Sequence, residues 1–140
     1  MKKLSKQASV ALTFIVLTMM FSSCSKKMMF SSSSVVPAAA GSVKIKSDKN
    51  KNHSIDISIT NLAPPSKLTP PQSTYVVWMV TENNGAKNIG QLKSSSSMFS
   101  KAFKATLKTV TAFNPTSFFI TAENDGDIQY PGSTLVLTTN

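Results

Sequence analysis

Residues 55–59, Ile55-Asp56-Ile57-Ser58-Ile59, decide how this chain folds. Three isoleucines alternate with two polar residues at period two, which places the isoleucines on one face of an extended strand and Asp56 and Ser58 on the other. A helix would scatter the same residues around its axis. The stiff β-branched side chains also favour a pleated surface. The same alternation recurs on both sides. Val43 and Ile45 oppose Lys44 and Lys46, while Phe103, Ala105 and Leu107 oppose Lys104, Thr106 and Lys108. Residues 75–80 are apolar on both faces and read as a central strand covered on both sides. Residues 118–122 and 135–137 add two more strands, and residues 89–92 a seventh. Turn chemistry separates them at residues 50–52, Asn83-Asn84-Gly85, Asn114-Pro115 and Asn124-Asp125-Gly126. Pro64-Pro65 and Pro70-Pro71 exclude a helix from the longest connection and predict an extended crossing. About seven short strands with no helical period predict an all-β fold, an antiparallel β-sandwich.

The N-terminus has a different organisation. Lys2, Lys3 and Lys6 precede an apolar run over residues 8–21, followed by Ser22-Ser23-Cys24. A basic start, a short apolar core and small residues at a cut site are the order of a secretory signal peptide. The run is too short for a spanning helix, which needs about 20 apolar residues. Cys24 is the only cysteine in the chain. A lone thiol in an exported protein forms no internal disulfide and needs another explanation. The junction resembles that of bacterial lipoproteins, with cleavage between Ser23 and Cys24 and acylation of Cys24. Residues 1–23 are then a signal that is removed, residues 24–41 a lipidated cysteine and flexible linker rich in Ser, Ala and Pro, and residues 42–140 the sandwich. Met28, Met29 and Phe30 are unusual within such a linker. Ser25 stands where a retention Asp would hold a lipoprotein in the inner membrane, and Lys26 and Lys27 replace an acidic surface-export cluster. The expected location is therefore the outer membrane, facing the periplasm.

The chain carries 15 lysines, no arginine and 6 acidic residues. Three of the lysines lie in the signal, so residues 24–140 keep twelve against six. Nucleic acid is excluded as an expected partner, because bidentate phosphate and guanine contacts call for arginine. Lysines on solvated strand faces account for the surplus, with attraction to anionic headgroups as the alternative.

Residues Ile59, Asn61-Leu62-Ala63-Pro64-Pro65, Tyr75-Val76-Val77-Trp78-Met79-Val80, Gly90, Phe119-Ile120-Thr121-Ala122-Glu123 and the stretch 131–137 follow one another in a suggestive order. Together they resemble the extracytoplasmic C-terminal domain of anti-sigma-K factors, over roughly residues 42–138. The family's glycine-rich final stretch is altered here to Glu123-Asn124-Asp125-Gly126 and Pro131-Gly132-Ser133. Its sigma-binding segment and membrane span have no counterpart. The resemblance implies the fold and an envelope-sensing or binding role, not sigma-factor inhibition.

Catalytic chemistry finds few candidates. His53, the only histidine, falls in a polar turn beside Asn52 and Ser54. Asp125 and Asp127 flank Gly126 next to Glu123, but the spacing is not that of a calcium loop. Zinc needs clustered Cys or His, and no metal or cofactor is expected. Tyr75 and Trp78 are candidate binding aromatics, although a central strand places them more naturally in the core. Tyr75, Trp78, Glu123, Asp125 and Asp127 are thus the candidate binding residues. The sequence points to a non-catalytic, lipid-anchored envelope module that binds or senses an envelope protein or polymer. The alternative is a structural lipoprotein whose lysine-rich face lies on the membrane surface.

Overall fold

A computed structural model describes residues 25–95 and 103–139. The fold is all-β, two antiparallel sheets packed as a sandwich. Among the described residues nine strands form: β1 (Ser25–Met29), β2 (Ala40–Ser47), β3 (His53–Thr60), β4 (Thr74–Thr81), β5 (Gly85–Gln91), β6 (Lys93–Ser95), β7 (Lys104–Thr111), β8 (Pro115–Glu123) and β9 (Leu135–Thr138). One sheet has the order β1-β2-β3-β7-β6 and the other β5-β4-β8-β9. The seven expected strands are all present, with β1 and β6 in addition.

The isoleucine stripe does what its period predicts. Ile55, Ile57 and Ile59 are fully buried on β3, between Val43 and Ile45 of β2 and Ala105 and Leu107 of β7. Tyr75, Val77 and Met79 of β4 and Phe118, Ile120 and Ala122 of β8 face them from the other sheet. The core runs from Met28 to Leu137, so residues 25–139 carry their own apolar centre.

The linker expectation is corrected here. Residues 25–29 form β1, an edge strand in full register with β2 from Ser25–Lys46 to Met29–Ser42. Met28 is buried and Phe30 packs against the core. Phe30 also bridges Thr139, and the Ser31 amide donates to the Thr138 carbonyl at 2.8 Å. Val36 and Ala39 are buried, and the Ser33 hydroxyl accepts the Val36 amide at 2.9 Å. Serines and alanines read as tether because composition ignores which few apolar residues find a groove. Met28, Phe30 and Val36 find one. The sandwich domain therefore begins at Ser25 rather than at residue 42, and no spacer separates it from Cys24. The signal, Ser23 and Cys24 lie outside the described residues.

The two sheets also join at the opposite corner. The chain leaves the four-stranded sheet at Gln91 and pairs with β7 from Lys93, while the Leu92 amide still donates to the Tyr75 carbonyl at 3.0 Å. Gly90, at φ +126° and beside a bulge in the β4–β5 ladder, permits this turn. Joining sheets at corners covers edges that would otherwise offer unpaired backbone to other chains. The proline-rich connection contains a single 3-10 turn, Pro65–Lys67, within the crossing that was expected to be wholly extended.

Candidate functional site

Strand alternation sends the two candidate aromatics to opposite faces of β4. Tyr75 points into the sandwich, where its hydroxyl donates to the Ala63 carbonyl at 2.7 Å and anchors the proline crossing. Burial disfavours the phenolate and pushes the Tyr75 pKa up to about 12. Folding thus favours the neutral phenol. Its contribution is complete below pH 10, the ordinary tyrosine value, and is lost as pH rises through about 12. In an ultraviolet absorbance titration Tyr75 should ionise only near pH 12, and Tyr75→Phe should remove that step. Ionisation of Tyr75 below pH 11 would contradict this burial.

Trp78 lies on the outer face of the four-stranded sheet yet is fully buried. Its ring stacks on Phe119 with centroids 6.0 Å apart and planes 12° from parallel, and Nε1 donates to Thr121 Oγ1 at 2.8 Å. Neither aromatic presents a face to solvent. Tyr75 and Trp78 are structural here, and no binding platform forms on them.

The segment after β8 folds back beside Trp78. Asn88 is the register partner of Trp78, and its Nδ2 donates to the Gly126 and Ile128 carbonyls, both at 2.9 Å. Its Oδ1 accepts the Gly90 amide at 2.9 Å. The nearly buried carboxylate of Glu123 accepts the Gly132 amide at 2.8 Å and fixes the far end of the segment. Asp125 and Asp127 are exposed, and Asp125 Oδ1 accepts the Asp127 amide at 3.0 Å in a local turn. The carboxylates of Glu123 and Asp125 therefore serve the loop's own backbone, and Asp127 enters it through its amide. Among the described residues no group of three or more His, Cys, Asp or Glu comes together to hold a metal. Asn88 is the loop-fixing residue that sequence reasoning missed, because a polar residue within a strand pattern carries no sign of its distant partners.

His53 is likewise displaced from its expected turn. It opens β3, half-buried, with Nδ1 at 2.9 Å from Ser47 Oγ. The preceding turn is organised by Asp48, whose carboxylate accepts the Asn50 and Asn52 amides at 2.8 Å. The Asn52 side chain and these amide hydrogen bonds hold the Asp48 carboxyl below its ordinary value.

A row of charged side chains lies on the outer face of the other sheet. Residues directly opposite one another in a ladder point to the same face. Lys27 of β1, Lys44 of β2, Asp56 of β3 and Lys108 of β7 therefore form one outward row across four strands. Lys46 stands in the next row, between Ser25 and Ser54. Asp56 pairs with Lys108 at 3.5 Å. These residues line a shallow cleft of about 460 Å³ on the sheet's outer face. The alternation of Lys44, Lys46 and Lys108 was legible in the sequence. The arrival of Lys27 beside Lys44 required β1.

No family model, curated protein or solved structure matches the chain. Its class is defined by the fold alone, an antiparallel β-sandwich closed at two corners with a basic outer face.

Proposed function

We propose that this chain is a lipid-anchored envelope protein, a non-catalytic β-sandwich that binds or senses a periplasmic protein or envelope polymer from the outer membrane. The carrying observation is the Ser22-Ser23-Cys24 junction after a short apolar run, followed directly by β1 at Ser25. Acyl groups on Cys24 would enter the bilayer one residue from a folded strand, about 3.8 Å between Cα atoms. Two or more chains give stable anchoring where one is marginal. The likeness of residues 42–138 to the extracytoplasmic domain of anti-sigma-K factors favours recognition over catalysis. A sandwich with Tyr75 and Trp78 buried recognises partners through its loops and outer faces.

Replacement of Cys24 by alanine is expected to abolish incorporation of labelled fatty acid and to leave precursor or soluble protein. Fractionation and metabolic labelling of the two forms test this. Equal labelling and unchanged membrane retention would rule out Cys24 as the anchor. Crosslinking of the anchored protein in intact cells then identifies the partner.

A further inference from the structure

We infer that the outer face of the five-stranded sheet lies on an anionic lipid surface, with headgroup phosphates seated in the cleft formed by Lys27, Lys44, Lys46 and Lys108. This deepens the anchored reading and rests on it. Three observations converge. First, Lys27 and Lys44 are direct cross-strand neighbours, and like charges in that relation repel. The row contains one carboxylate, Asp56, whose ion pair is with Lys108. Asp48, at the hairpin tip, turns its oxygens to the amides of its own turn. An anion above the row removes the repulsion, and lysine ammonium groups bind phosphate as point charges.

Second, exposed apolar side chains flank the lysines on the same face. Met29 is 57% exposed and Val110 67%. Met29 shares its ladder position with Ser42, and Val110 with Ser54, both outward residues. Lysines bordered by apolar side chains suit the boundary between headgroups and acyl chains. Third, the position is right. Lys27 is three residues from Cys24, within about 10 Å along an extended strand, so acylation would bring this face to the headgroups. The sandwich then rests on β1, β2, β3 and β7, leaving the opposite sheet and its 124–133 segment directed away from the bilayer for a partner.

The body of residues 25–140, which carries its own core and lacks both signal and acyl group, isolates this surface from the anchor. Flotation with vesicles of phosphatidylcholine alone and with about one-third phosphatidylglycerol is the experiment. Binding is expected only to the anionic vesicles and should fall steeply with salt. Each lysine near an anionic surface contributes roughly fivefold in partition. Lys44→Gln with Lys46→Gln should therefore weaken binding at least tenfold. Lys67→Gln with Lys87→Gln, of equal charge change on the proline crossing and β5, should leave it within about twofold. Equal losses from the two pairs would reduce the effect to net charge and overturn the proposal. So would binding of inorganic phosphate or a soluble polyanion without vesicle binding. Fatty-acid labelling of the full chain reads the anchor separately, so loss of either property is recognised independently of the other.

Discussion

Trp78→Ala is expected to lower the stability of the sandwich by about 3–5 kcal/mol. The side chain is fully buried, stacked on Phe119 and hydrogen-bonded to Thr121, so truncation leaves a large void and an unpaired buried hydroxyl. An unsatisfied buried polar group adds roughly 1–3 kcal/mol to such a loss. A domain of this kind has only about 5–15 kcal/mol in total, so the variant should melt far below the parent. Trp78→Phe is the milder probe, because it keeps an aromatic ring in the stack while removing the indole donor and part of the ring volume. Its expected loss is smaller, on the order of 1–3 kcal/mol. Denaturant unfolding of the three proteins decides the matter. An alanine variant as stable as the parent would mean that Trp78 is accessible and free to bind a ligand.

Deletion of residues 25–36 is expected to be as damaging. A tether could be removed without effect on the body it carries. Here the deletion strips β2 of its edge partner, removes buried Met28 and Val36, and releases the contacts of Phe30 and Ser31 with the C-terminal strand. Loss of a large buried aliphatic side chain alone costs about 2–5 kcal/mol, and the uncovered β2 edge becomes a site for association with other chains. The truncated body should lose its cooperative transition or aggregate. Met28→Ala provides a milder probe, expected to cost about 2–4 kcal/mol. Met29→Ala, one residue along and on the exposed face, should change little. Equal, small effects at the two methionines together with an intact transition in the deletion would restore the reading of residues 25–41 as a linker.

The contrast between these segments shows where sequence reading works. Residues 55–59 repeat their pattern over a whole strand, and burial of one face follows from period alone. Residues 25–36 contain Met28, Phe30 and Val36 scattered among lysines and serines. Nothing local distinguishes them from a solvated tether. Their burial depends on a groove that only β2, β9 and the folded core create. The candidate binding residues divide in the same way. The apolar run around Trp78 foretold a buried strand. The partners of Glu123 and Asn88 lie 9 residues and about 40 residues away along the chain, respectively, beyond any local pattern.

The sequence by itself determined the all-β class, the identity of the seven principal strands and the inward stripes of β2 and β3, because side-chain alternation and turn residues act over two to five positions. On β7 the stripe holds for Ala105 and Leu107 but not for Phe103, which is exposed ahead of the strand. The sequence also carries the basic start, short apolar run and Ser22-Ser23-Cys24 junction on which the proposed anchor rests. Only the tertiary structure decided that β1 belongs to the body, that Lys27 meets Lys44, and that the segment after β8 closes beside Trp78. Those outcomes follow from strand order and register, which are set by how the whole core packs and by backbone hydrogen bonds between residues far apart in the chain.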